Sequence, residues 1–236
     1  MPRILSEFPK RHPARLQVAR RLRQARNAER HNQYMTQRGY ELYQGEAGGL
    51  DHFFQAVNNT SSQTLLEIGT GSGKAAEHLR TKVTHVVTTG LIAYPERSQP
   101  DILTSTEMLR GVTDKSIGGI LGIYSLPYSP HPKLTARKID RVLESGGIIK
   151  AVFPDKQAVR RLSRSTIRSK QQSYHAFAKE LEKLGYDVAT TTNPYANDLP
   201  TILVAIKPGK NTVSAQKLLM DDYGEFRDIM EDILNS

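Results

Sequence analysis

From residue 48 onward the apolar positions switch between two periods, and the switches mark out elements. "LDHFFQAV" reads as a short helix. "SSQTLLEIG" follows as a buried strand, and after a glycine-rich loop "KAAEHLR" reads as a helix. "THVVTTGLI" is a second strand, "DILTSTE" a third and "IGGILGIYS" a fourth. "KLTARKIDRVLES" is amphipathic, with Leu134, Ile139, Val142 and Leu143 as its apolar positions, and "GGIIKAVF" is a fifth strand. A long helix is expected over 157–184, closed by Gly185. "YDVATTT" and "TILVAIK" then form a closing antiparallel pair around "NPYANDLP". Strands alternating with helices predict an α/β fold, its sheet mostly parallel and covered on both faces.

The two ends differ from this core. Leu16, Ala19, Leu22 and Ala25 recur every third position within 14–36, a thin apolar stripe on an Arg-rich helix. In "LLMDDYGEFRDIMEDIL" the apolar residues Leu219, Tyr223, Phe226, Met230 and Ile233 share one helical face opposite acids. That face packs on its own domain, forms a homodimer contact, or covers the basic N-terminal arm. The expected organisation is a basic helical extension over 1–45, a core domain over 46–209 and an acidic amphipathic helix over 210–236.

Composition narrows the classes. The 236 residues, 38% hydrophobic, suit one α/β domain with extensions. The sequence shows no apolar run near 18 residues and no secretory signal pattern. It holds no cysteine, which excludes disulfides, Cys-ligated zinc and thiol catalysis. A soluble, cytoplasmic protein is the expectation.

The formal net charge of +9 is unevenly placed. Residues 1–30 hold nine Lys/Arg against two Glu, and 156–170 hold six Lys/Arg with no acid. Residues 213–236 hold six acids against Lys217 and Arg227. Such one-sided runs point to a polyanionic partner, RNA or a ribonucleoprotein, held through 1–30 and 156–170. An Arg-rich start also resembles an organellar transit peptide, although Ser is scarce and Glu7 intrudes.

The loop in "LLEIGTGSGK" discriminates between ligands. A nucleotide P-loop would need Gly where Ile68 stands and a hydroxyl where Ala75 stands. A dinucleotide fingerprint started at Gly69 would need its third Gly at Lys74; started at Gly71 it meets Ala76, which the loose form tolerates, but its first Gly then sits far from the strand end, and dinucleotide binding stays a minor alternative. The pattern that remains, Glu67, Gly69, Gly71 and Gly73 after an apolar strand, resembles the first motif of the class I (Rossmann-like) S-adenosylmethionine (SAM)-dependent methyltransferases. "RVLESGG", with Arg141, Val142, Leu143, Gly146 and Gly147, resembles that family's turn into the fifth strand, and the likeness spans about residues 48–208.

The resemblance implies a mostly parallel seven-stranded sheet with helices on both faces, and SAM as cofactor. SAM carries no phosphate, so its loop needs bare backbone and nearby negative charge more than Lys or magnesium. The implied cofactor residues are Glu67, Gly69, Thr70, Gly71, Gly73, Thr89, Thr106, Glu107, Met108 and Tyr124. "YSLPY" occupies the place where amino-methyltransferases carry [DNS]-P-P-[YF]. Ser125 and Tyr128 are the implied catalytic residues, with Pro127 matching and Leu126 departing from the motif.

Two positions depart from the family pattern. The second strand ends in Thr88, Thr89 and Gly90 where an acid usually holds the ribose, and the next acid noted is Glu96. Gly118 stands where many relatives have Asp before the fourth strand. His131 is a candidate base in a loop, His85 reads as structural, and His52 and His175 lie on predicted helices without metal-ligand spacing. Methyl transfer to an N or O acceptor on RNA or a ribonucleoprotein leads the functional readings. A small-molecule methyltransferase and a non-catalytic scaffold with this fold stand beside it.

Overall fold

The computed structural model describes residues 45–71, 73–91, 99–154, 164–195, 200–210 and 213–235. The expected helix over 14–36, Glu96 and the first part of the 156–170 stretch lie outside them. Helix α1 (Asp51–Asn58) leads into β1 (Thr64–Ile68), α2 (Lys74–Lys82), β2 (His85–Gly90), the two-residue β3 (Ile102–Leu103) and β4 (Ile117–Ile123). A single 3₁₀ turn at Leu126–Tyr128 precedes α3 (Pro132–Val142), β5 (Leu143–Phe153), α4 (Arg164–Lys183), β6 (Asp187–Thr192), β7 (Thr201–Ile206) and α5 (Ala215–Asn235).

The seven strands lie in the order β3-β2-β1-β4-β5-β7-β6, parallel except for β7, which runs antiparallel to both β5 and β6. This is the expected Rossmann-like sheet. The chain winds outward from β1 in one direction and from β4 in the other. A crevice therefore opens beyond the carboxyl ends of those two strands, where open α/β sheets bind ligands.

Covering both faces explains the runs of apolar residues in the central strands. Every residue of β4 is buried, as are four of five in β1. On one face α1 inserts Phe53, Phe54 and Val57, joined by Leu79 of α2 and Leu218 and Leu219 of α5. A side chain of this kind contributes roughly 1.5–3 kcal/mol when fully buried. The close seating of α1 depends on Gly119, where an added Cβ would lie 2.3 Å from Val57 Cγ2. The other face packs Ala136 and Ile139 of α3 and Phe177 and Leu181 of α4 against Leu66, Ile120 and Ile149.

Local signals account for the helix ends. Gly185 adopts φ +86°, and the Tyr186 N–H donates to Leu181 O at 3.1 Å, closing α4 as its glycine predicted. Three expectations need correction. Leu134 is exposed, because α3 turns the smaller Thr135 and Ala136 inward with Ile139 and Val142. The fifth strand starts at Leu143, which pairs with Ile117 before a register shift; Gly146, at φ +78°, allows the chain to continue as strand. Ile233 is exposed, since α5 reaches past the sheet after Leu219 is buried.

Helix α5 is anchored by a buried ion pair. Lys150 Nζ lies 2.7 Å from Asp222 Oδ2 and 2.7 Å from Gly49 O, and both side chains are essentially inaccessible. Asp222 Oδ1 also accepts the backbone N–H of His52 at 2.8 Å, in the first turn of α1. Burial pushes the Lys150 ammonium below its usual range, and the Asp222 carboxylate opposes that shift. Among the described residues no helix is long and apolar enough to cross a membrane.

Candidate cofactor site at the crossover of β1 and β4

The glycine loop leaves β1 at the crossover point. Gly69, Gly71 and Gly73 all take positive φ (79°, 59° and 78°), a conformation in which a Cβ is strained. The loop is pinned to β2, because the Gly69 and Thr70 N–H groups both donate to Thr89 O at 2.9 Å. Its last glycine is the N-cap of α2, so the chain passes directly from loop to helix. A Cβ at Gly69 would lie 2.8 Å from Ser125 Cβ, which places the "YSLPY" turn against the loop.

Two hydroxyls stand out in this contact zone. Thr70 Oγ1 and Ser125 Oγ are buried and have no hydrogen-bond partner among the described residues. A buried hydroxyl without a partner is costly, so such atoms point to a ligand or water that completes them. Glu67, projecting from β1 with its side chain 1% exposed, adds a buried carboxylate beside the loop. Bare positive-φ backbone, two uncompleted hydroxyls and an acid fit a ligand rich in hydroxyl, amine and positive charge. The described residues show no cluster of ligands able to hold a metal ion.

The other sequence-predicted residues lie on several different elements. Tyr124 follows β4 at φ +55° and is buried, and its hydroxyl donates to the Glu46 carboxylate. Thr89 is buried, and its hydroxyl donates to Glu67 O at 3.1 Å. Thr106, Glu107 and Met108 form a half-buried turn after β3, with the Met108 N–H donating to Ser105 O. Leu126 and Tyr128 bound the 3₁₀ turn that follows Ser125. His131 is exposed as the N-cap of α3, His175 is exposed on α4, and His52 lies 3.3 Å from Glu225.

The two departures have structural counterparts. Asp101 reaches β2 from the connection to β3, its Oδ2 accepting the Thr88 N–H at 2.8 Å and the Thr88 hydroxyl at 2.9 Å. Its carboxylate braces the strand edge at Thr88, and Arg80 lies 3.4 Å away. At Gly118 an added Cβ would sit 1.9 Å from Thr60 Oγ1, so the loop before β1 fills the space an Asp would need.

Glu46, Asp101 and the Lys150–Asp222 pair were not singled out by pattern. Only Lys150 carried a signal, as a lone charge inside the apolar strand "GGIIKAVF". At the opposite end of the sheet lies a cleft of about 370 Å³, lined by Gln55, Asn59, Glu144 and Lys210 among others. There Glu144 accepts the N–H groups of Ser61 and Ser62 at 2.8 and 3.1 Å, a stabilising cap for the entry to β1.

Comparison with known proteins places this architecture. No family model and no curated protein matches the sequence. Solved structures do match in fold. One is assigned to the SAM-dependent methyltransferases, from Methanococcus maripaludis, at 14% identity and TM-score 0.52, covering 80% of this chain and 95% of that one. Another is the plantazolicin methyltransferase BpumL in complex with a monoazolic desmethylPZN analog and S-adenosylhomocysteine (SAH), at 15% identity and TM-score 0.51, covering 82% and 96%. The chain thus has the fold of the class I SAM-dependent methyltransferases.

Proposed function

We propose that this chain is a SAM-dependent methyltransferase acting on a nitrogen or oxygen acceptor, with RNA or a ribonucleoprotein as the substrate class. The observation that carries the cofactor assignment is the pair of buried hydroxyls, Thr70 and Ser125, without hydrogen-bond partners among the described residues, beside the positive-φ glycine loop. Thr70, Gly69, Gly71 and Ser125 would hold the amino-acid and ribose portions, and Glu67 would face the positive charge. When bound, SAM supplies an electrophilic methyl group; the chain's part is alignment and exclusion of water. The fold relatives support this reading, since one of them was solved with SAH.

The substrate class rests on the basic runs over 1–30 and 156–170, which suit phosphate contacts without sequence preference. Tyr128 and Ser125 are the residues proposed to present the acceptor.

Calorimetry of the full chain tests the cofactor step. SAM and SAH should both bind. Thr70→Val and Ser125→Ala should each weaken binding by roughly three- to tenfold, the loss of one hydrogen bond worth about 0.5–1.5 kcal/mol. Labelled methyl transfer from SAM into total RNA tests the acceptor, and RNA affinity should fall steeply between about 50 and 200 mM salt. A scaffold without cofactor has one specific observation in its favour: β2 ends without a carboxylate, and the donor of Thr89 is engaged with Glu67 O. No heat with either ligand at millimolar concentration would decide for that scaffold.

A further inference from the structure

Helix α5 carries more apolar surface than its own domain buries. Its first half is seated, with Leu218 and Leu219 in the core and Asp222 locked to Lys150. Its second half keeps an apolar stripe at helical spacing: Ile229 is 53% exposed, and Phe226 and Met230 are half-buried. Glu225 and Asp232, both exposed, stand about one turn to either side of Ile229. Over 225–232 the acids Glu225, Asp228, Glu231 and Asp232 stand against the single base Arg227, a net charge of −3.

The first described residues lie beside this half of the helix. The Gly45 carbonyl accepts Asn193 Nδ2 at 2.7 Å. Two residues on, Tyr195 sets its ring edge-on to Phe226, with centroids 6.2 Å apart, and donates its hydroxyl to Glu231 at 2.9 Å. An added Cβ at Gly48 would lie 3.0 Å from the Tyr223 ring. Residues 45–48 and the turn after β6 thus meet α5 where residues 1–44 join the domain. β6 runs parallel to β4 and β5, so that turn lies at the carboxyl end of the sheet, the end that carries the glycine loop.

Residues 1–30 lie outside the described residues, but their sequence complements this surface. They hold nine Lys/Arg against two Glu, with Leu16, Ala19, Leu22 and Ala25 at every third position. The fourteen residues 31–44 can span about 3.5 Å each, ample to return that segment to a helix met at residue 45.

We propose that residues 1–30 dock on the second half of α5 of the same chain, their apolar positions on Phe226, Ile229 and Met230 and their cations against the flanking acids. One consequence rests on the RNA reading above: RNA and α5 then compete for the same cations, and the arm is held at the carboxyl end of the sheet until a polyanion displaces it.

The test uses the full-length chain, which has no cysteine of its own. A nitroxide on Gln24→Cys, off the apolar positions, should broaden the methyl resonances of Ile229 and Met230 at low salt. The broadening should fade as salt rises from about 0.1 to about 1 M, where the screening length shrinks from ~10 to ~3 Å. It should also fade when Glu225→Gln, Asp228→Asn, Glu231→Gln and Asp232→Asn are combined. No broadening at low salt, or broadening indifferent to both salt and neutralisation, overturns the proposal; the salt series needs no further variant to fold. Mixing nitroxide-labelled chain with separate isotope-labelled chain identifies the occupant. Broadening in that mixture means that α5 binds a second copy, and it overturns docking within one chain. A uridine oligonucleotide should restore the resonances, and the neutralised variant should bind it roughly three- to tenfold more tightly, as for an arm docked about 70–90% of the time. An arm that stays docked in saturating oligonucleotide counts against the RNA reading and leaves the docking standing.

Discussion

On the face of the sheet covered by α1, α2 and α5, Glu46, Glu67, Lys150 and Asp222 are all buried among the apolar side chains. On the face covered by α3 and α4 the buried layer is Leu66, Ile120, Ile139, Ile149 and Phe177, and the buried carboxylate described there, Glu180, is reached from solvent by the exposed Arg137. There Arg137 meets Glu180, and the buried Tyr186 donates to Asp140 at 3.0 Å, its phenol pushed up chiefly by burial. Burying a charge costs several kcal/mol before any partner repays it. A fold that needed only stability would build both faces like the second. The first face instead buries a pair that ties α5 to the sheet and a carboxylate, Glu67, at the end of β1 that leads into the glycine loop.

The largest effect expected from breaking that contrast comes at Asp222. Asp222→Ala would strand the Lys150 ammonium in the core and leave the His52 N–H in α1 without its acceptor. A loss of about 3–5 kcal/mol is expected, measured by urea unfolding. Replacing both partners, Lys150→Met with Asp222→Leu, should recover most of that loss, because two apolar side chains of similar size need no compensation. If the double variant is no more stable than Asp222→Ala, the pair is worth more than its burial costs, and the contrast between the faces is weaker than drawn here.

How much of this was legible in the sequence depended on distance along the chain. The near-continuous run Leu65, Leu66, Ile68 and the run in Ile117–Ile123 announced buried parallel strands, because a strand covered on both faces has no polar side to show. Gly185 announced the end of α4 through its own backbone preference. Leu134 misled because α3 buries Thr135 and Ala136, small side chains whose contribution to a hydrophobic stripe is weak. Lys150 looked anomalous, but its partner lies 72 residues away, beyond any local period. At the site, glycine spacing marked the loop. That Thr70 and Ser125 lack partners among the described residues is a property of the fold, and Glu46 became visible only when the chain after β4 delivered Tyr124 to it.

A smaller effect should follow from trimming the apolar face. Ile139→Val removes one methylene between α3 and the sheet, where the side chain is fully buried. About 0.5–1.5 kcal/mol should be lost in urea unfolding, with ligand affinities unchanged. A change in SAM or SAH affinity would show that this face is coupled to the site, contrary to the separation argued above.

The smallest effect belongs to the Arg137–Glu180 pair. The hydrogen bond from Arg137 Nε at 2.7 Å holds the Glu180 carboxyl below its ordinary value of 4.5, with burial pulling the other way. Because the folded value is depressed, the unfolded chain binds the proton more readily. The pair's contribution is therefore fully present above pH 4.5 and fades as pH falls through the lower, folded value. The Arg137 side chain is 66% exposed, so water and salt screen the pair and the stabilisation is small. Arg137→Ala should lower Tm slightly at neutral pH, and the two melting curves should converge as the pH is taken from about 6 to about 3. Parallel curves across that range would mean that this bond adds nothing. The stability of this face would then come from its apolar layer alone, and the division of labour between the two faces would be sharper still.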